Sequence, residues 1–213
     1  MIKTVHILPL IFVRFSDKLI LKSLERSFSV TVRPYSKDDW KDVRFVCLNS
    51  DGPCRSSGRA VNFTLTVYCD CYIEGEPQNC FVATDDSDRA IGYVLCAADF
   101  DAYRERFVDK YYPRIKRWEF KRRKSALRAI ESQGKYKNDY PAHLHIDLLP
   151  SYQHMGLGTK LMDTLCNHLK QNGVKGVMFT VWHKNYGAIK FYEKYGFKLI
   201  ETKDTTLVYG LKL

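Results

Sequence analysis

Residues 145–164 read HIDLLPSYQHMGLGTKLMDT. An apolar run ends at Pro150, a turn carries two glycines, and a helical pattern starts directly after it: Leu161, Leu165 and Leu169 share one face, with Met162 and Cys166 beside them. Gly173 stands where a left-handed residue closes a helix. A helix N-terminus leaves its first amide hydrogens unpaired and carries the positive end of the dipole, so phosphate oxygens are favoured there. Gly156 and Gly158 have no Cβ, which permits a tight turn and lets an anion approach the amides of Met155, Gly156, Leu157, Gly158, Thr159 and Lys160. The turn suits a pyrophosphate.

Two common phosphate loops do not fit. A dinucleotide fingerprint needs a third glycine where Leu161 stands, and a nucleoside-triphosphate loop needs a Gly-Lys-Ser/Thr ending that Gly158-Thr159-Lys160 does not supply. Gln153-His154-Met155-Gly156-Leu157-Gly158 instead resembles the Q/R-x-x-G-x-G/A signature of the GNAT superfamily of N-acetyltransferases. Downstream, residues 185–197, NYGAIKFYEKYGF, resemble the N-x-x-A-x-x-F-Y-x-x-x-G-F segment that closes the acetyl-CoA site in that superfamily. The two motifs stand in the family's order, and the resemblance covers roughly residues 29–213. More narrowly, Tyr140 to Pro150 resembles the acetyltransferase-like domains related to the C-terminal part of O-GlcNAcase, without any counterpart of the glycosidase domain.

The resemblance implies an α/β (α+β) chain with the GNAT fold: a central mixed, mostly antiparallel sheet flanked by helices, with a helical insertion before the cofactor-binding strand. It implies acetyl transfer from acetyl-CoA to a primary amine, with no metal. The loop Gln153 to Lys160 would hold the pyrophosphate, and the backbones of Leu148 and Leu149 would pair with the pantetheine arm. Asn185 would bond the same arm or cap a helix, and both roles are compatible. Tyr192 matches the family tyrosine that acts as general acid near the sulfur; packing in the Phe191, Tyr192, Tyr195 cluster is its other role. A catalytically inactive acetyl-CoA-binding or interaction module with a basic surface is the alternative reading.

Acetyl transfer also needs an amine stripped of its proton. Period-two alternation puts His143, His145 and Asp147 on one face of the strand before the loop and Leu144, Ile146 and Leu148 on the other. Three polar groups on one face of a central strand are costly unless paired or facing a cleft. Asp147 is the first base candidate and His145 the second; a His-Asp pair supporting the sheet is the structural alternative.

The remaining pattern predicts the frame. Val30 to Arg33 reads as a strand, Ser36 to Asp39 as the cap of a helix through Leu48 with Trp40, Val43, Val46 and Cys47 inward, and Cys80 to Thr84 with Ala90 to Ala98 as a hairpin. Phe63 to Tyr72 is too short an alternation to decide between helix and strand. Phe100 to Gln133 repeats Tyr103, Phe107, Tyr111, Ile115 and Trp118 at helical spacing, with Pro113 dividing or kinking the segment. Val177 to Trp182 reads as a strand, Gly187 to Tyr195 as a helix stopped by Gly196, and Leu207 to Leu211 as a last strand.

Across its 213 residues the chain carries 34 Lys and Arg against 24 Asp and Glu, a formal charge of +10 that favours an anionic partner. Much of that charge lies in residues 104–128, including Lys121-Arg122-Arg123-Lys124, which a solvated helix face explains; nucleic-acid binding is not expected. Seven scattered cysteines make a poor disulfide framework and lack zinc-knuckle spacing, so thiols in a reducing compartment are expected: the cytoplasm, with nucleus or mitochondrion as alternatives. The apolar run Ile7 to Val13 is far shorter than the ~20 residues that span a bilayer, and no membrane association is expected. Residues 1–28 read as an extension to a single domain over 29–213, with the insertion at about 100–133.

Overall fold

The computed structural model describes residues 30–54 and 57–213, so the expected extension over 1–28 lies outside the described residues. Seven strands form one sheet: β1 (Thr31–Pro34), β2 (Phe81–Thr84), β3 (Ala90–Ala97), β4 (Ala142–Leu148), β5 (Gly176–Trp182), β6 (Lys198–Thr202) and β7 (Thr206–Lys212), in the order β1-β2-β3-β4-β5-β7-β6. Every neighbouring pair is antiparallel except β4 with β5. The expected mixed, mostly antiparallel sheet is therefore present.

Helix α1 (Trp40–Asn49) follows a short 3-10 turn capped by Ser36, which with Asp39 forms a reciprocal capping box. Val43 and Val46 are fully buried, as the spacing predicts. Trp40 is not: it is 42% exposed, with the Arg44 guanidinium over its ring at 5.0 Å. The segment undecided in sequence is helical: α2 (Arg59–Leu65) runs through a π turn, Thr66–Asp70, into a last turn at Cys71–Ile73. Residues 66, 67 and 69–73 are buried, and this tertiary burial settles what so short an alternation left open.

The segment expected as an insertion is helical and divides at Pro113 into α3 (Phe100–Arg106) with a trailing π turn, and α4 (Phe120–Gly134). Tyr103, Phe107, Tyr111 and Ile115 are buried, whereas Trp118 faces solvent. Its arginines are less free than a solvated face implies. Arg104 pairs with Glu131, Arg106 with the buried Glu76, Arg114 with Glu74, and Arg122 with Glu119; Arg123 donates to the Ile115 carbonyl. The Arg106–Glu76 and Arg114–Glu74 pairs tie this segment to the turn after α2, and the others hold it together internally.

Helix α5 (Leu157–Gln171) buries Leu161, Leu165 and Leu169 completely against the opposite sheet face, each contributing roughly 1.5–3 kcal/mol. It ends at left-handed Gly173. Helix α6 (Tyr186–Tyr195) ends at left-handed Gly196, as read from the sequence. Strand β6 was not anticipated, because an edge strand whose residues are exposed or half-buried leaves only Leu199-Ile200 as an apolar signal. Two cores result: one under α1 to α4, holding Tyr72, Tyr93, Leu95, Tyr103 and Phe107, and one under α5 and α6, holding Leu161, Leu165, Phe179, Tyr192 and Phe197.

Candidate active site

Strands β4 and β5 pair over only two rungs, Ala142 with Val177 and His143 with Met178, and then part. Parallel strands that diverge open a gap at their C-terminal ends, and a cleft of about 920 Å³ lies there. That volume falls within the roughly 300–1,000 Å³ of small-molecule sites. One wall is β4 from Leu144 to Leu148 and another is β5 from Phe179 to Trp182; α6, the turn after β4, and Ser50 and Asp51 after α1 complete the lining.

The turn has the geometry that the glycines imply, with a division of labour between them. His154 and Gly156 are left-handed, at φ 63° and 79°, and Gly156 is the N-cap of α5 with no side chain capping it. A Cβ on Gly156 would meet nothing within 4 Å, so glycine is required there for backbone conformation. At Gly158 a Cβ would lie 3.2 Å from the Phe191 ring, so that glycine lets α6 pack against the loop. The Lys160 amide already donates to the Gly156 carbonyl, which corrects the expected set. Leu157, Gly158 and Thr159 supply the unpaired first-turn amides. Leu157 buries its side chain in the core, while Met155 and Lys160 point to solvent outside the cleft lining.

The strand backbone is also redistributed. The Leu149 amide donates to the Ile91 carbonyl of the neighbouring strand, so by antiparallel alternation the backbones of Ile146 and Leu148, rather than Leu149, face the gap. Gln153 lines the cleft, yet its side-chain amide donates to two carbonyls, Leu148 at 3.0 Å and Ser50 at 3.1 Å. Asn185 caps α6, accepting from the Ala188 amide at 3.2 Å, and borders the cleft as well.

His143, His145 and Asp147 do share one face, and the structure separates their roles. His143 is buried among Tyr72, Phe100 and Tyr103 with neither ring nitrogen hydrogen-bonded, and burial, followed by His145 and Arg106, pushes its pKa down to about 3. His145 lines the cleft with its ring edge-on to Tyr68 and Tyr72, and burial lowers it to about 4. Asp147 accepts a hydrogen bond from the Tyr93 hydroxyl and another from the Ser50 side chain. Burial nevertheless outweighs both bonds and raises Asp147 to about 6. No His-Asp pair forms among the described residues: the carboxylate's partner is a tyrosine.

Tyr192 is buried and borders the cleft, its ring 3.7 Å from that of Phe179 and edge-on to Phe197. Burial, then the nearby Asp147 carboxylate, raises its phenol well above the ordinary range, so the hydroxyl keeps its proton at neutral pH. Packing and cleft position coexist in this residue. Tyr93, Ser50, Ile146 and Phe179 were missed in the sequence because strand register and the end of α1 bring them to the site. Among the described residues no group of three or more His, Cys, Asp or Glu side chains is arranged to hold a metal.

This geometry has relatives. The family model described as Acetyltransferase (GNAT) family matches residues 47–197. The chain is 38% identical over 56 residues to N-alpha-acetyltransferase 50 of Danio rerio, covering 26% of this chain and 33% of that protein. It thus spans about a third of the curated relatives it matches, 31% and 33% of their lengths. The crystal structure of SsHAT superposes with a TM-score of 0.77 at 29% identity, covering 86% of this chain and 98% of the other. The PaiA N-acetyltransferase of Thermoplasma acidophilum, in complex with coenzyme A, superposes with a TM-score of 0.56 at 16% identity over 87% and 99% of the two chains, which is a likeness of fold.

Proposed function

The chain belongs to the acetyltransferase (GNAT) family, and on that premise we propose that it is an acyltransferase that moves acetyl from acetyl-CoA directly to a primary amine. The observation that carries this reading is that one cleft takes in the uncapped N-terminus of α5, the opened edge of β4 and the carboxylates of Asp147 and Asp51. The amides of Leu157, Gly158 and Thr159 suit the pyrophosphate, and Lys194 lines the same cleft. The Ile146 and Leu148 backbones would hold the pantetheine arm in strand-like register. The acetyl carbonyl would then lie in the gap between β4 and β5.

Asp147 takes the proton from the incoming ammonium or amine, being largely ionised at neutral pH when its pKa is about 6. Tyr192, still protonated there and lining the same cleft, supplies a proton to the departing thiolate. The enzyme itself forms no covalent bond. We place the chain near the acetyltransferase-like domains related to the O-GlcNAcase C-terminal part, on the stretch Tyr140 to Pro150 and the helical insertion, and we place its action in the cytoplasm.

Calorimetry with acetyl-CoA is the first test; absence of saturable heat at high micromolar ligand would remove even the binding claim. Mass detection of acetylated products from a broad amine panel then distinguishes a transferase from an inactive binding module, which would bind acetyl-CoA and acetylate nothing.

A further inference from the structure

The Gln153 side chain spans two walls of the cleft. Its Nε2 donates to the Leu148 carbonyl, at the end of β4, and to the Ser50 carbonyl, just past α1. Leu148 lies 5 positions from Gln153 and Ser50 lies 103 positions away, so one amide joins the phosphate-loop segment to a distant turn. Ser50 in turn places its side chain on Asp147. Between α1 and α2, residues 50–54 and 57–58 form no helix or strand, and Gly52 and Gly58 both take positive φ. Asn49 holds the turn locally, accepting from the Gly52 and Cys54 amides, and the Gln153 bond to Ser50 ties it to the loop after β4.

We propose that Gln153 is a positioning residue that ties the phosphate loop to the proton acceptor, by holding the Ser50 carbonyl and so keeping the Ser50 hydroxyl on the Asp147 carboxylate. This rests on the proposed function for the meaning of loop and base, but the linkage itself is a property of the protein without substrate. Its chemistry is specific. Both acceptors are carbonyls, so the residue at 153 must donate twice from one position; a carboxylate or an apolar chain of the same length cannot. A side-chain amide does so, and so does a guanidinium.

The groups that share Asp147's surroundings come from every neighbouring element. Tyr93 faces it from β3, Ser50 and Asp51 from the end of α1, and Tyr192 from α6, while His145 precedes it on β4 and His154 and Lys194 border the same cleft. The Tyr93 and Ser50 bonds favour the ionised carboxylate; burial and Asp51 oppose it. Releasing Ser50 removes one of the two favourable bonds and raises the pKa further.

Carbon-13 NMR titration of aspartate-labelled protein reads this directly, with the Asp147 carboxyl assigned by Asp147→Asn. Gln153→Leu is expected to raise the Asp147 midpoint by about half a pH unit or more, Ser50→Ala to raise it equally, and the double variant to add nothing further. Gln153→Arg is expected to return the midpoint to the wild-type value. If Gln153→Leu does not fold, Gln153→Asn, one methylene too short to span both carbonyls, makes the same break. An Asp147 midpoint unchanged in the Gln153 variants, or shifts of Gln153 and Ser50 that simply add, overturns the proposal. Acetyl-CoA calorimetry on the same samples reports separately on the proposed function, so the two can fail independently.

Discussion

The Tyr93 hydroxyl donates to Asp147 Oδ2 at 2.5 Å across the β3–β4 ladder, where the two residues are register partners. A phenol held against a carboxylate in a buried place keeps its own proton and favours the carboxylate's ionised form. Burial raises Tyr93 well above its ordinary range, with the Asp147 charge adding to it. Tyr93→Phe should therefore move the acidic limb of the transfer rate, measured against the concentration of neutral amine, to higher pH. The wild-type limb identifies the base: near pH 6 for Asp147, near pH 4 for His145. Asp147→Asn removes a limb near 6; if His145→Gln removes the limb instead, the assignment to Asp147 is wrong.

Asp147 also costs stability. Its folded pKa of about 6 lies above the unfolded value, so between the two the folded state holds a proton the unfolded state has released, and stability falls as pH rises through that window. Asp147→Asn is isosteric and still accepts from Tyr93. Denaturant titrations should find it more stable than wild type at neutral pH by about 1–3 kcal/mol, with the difference vanishing near pH ~4.

His143 works in the opposite direction. Its folded pKa of about 3 lies below the unfolded value, so the unfolded state binds the proton first and stability falls as pH drops below roughly 6.5. His143→Leu, which also removes two buried nitrogens without partners, should flatten the loss of stability between neutral pH and pH ~4.5 by about 2 kcal/mol. An unchanged slope would show that His143 finds a partner in solution.

Tyr192→Phe keeps the ring on Phe179 and Phe197 and removes only the hydroxyl. Turnover should fall by about 10²–10⁴-fold with acetyl-CoA affinity preserved, as expected for loss of a general acid. Unaltered turnover would leave packing as the residue's whole contribution.

The two glycines of the turn should fail differently. Gly156→Ala forces a side chain into a left-handed backbone at roughly 1–2 kcal/mol, in open space, and should weaken acetyl-CoA binding by misdirecting the α5 amides. Gly158→Ala pushes against Phe191 and should instead lower the melting temperature through the α5–α6 contact. Calorimetry and thermal melts on both variants separate the two effects; equal losses in both measurements would contradict the division.

The loop, its helix and the NYGAIKFYEKYGF segment were legible in the sequence because each is local: a turn needs particular φ values, a helix repeats every 3.6 residues, and left-handed ends call for Gly156, Gly173 and Gly196. Alternation along β4 likewise put His143, His145 and Asp147 on one side before any contact was known. Which of them meets the cleft, and with what partner, was not written there. Tyr93 faces Asp147 through ladder register, Ser50 arrives from the far end of α1, and β4 parts from β5 after two rungs, a matter of strand pairing between distant segments. Local conformation is fixed by a few neighbouring side chains. Proton affinity depends on burial and on partners from distant segments, so only the tertiary structure decides that Asp147 sits near 6 while the histidine two residues before it is held neutral.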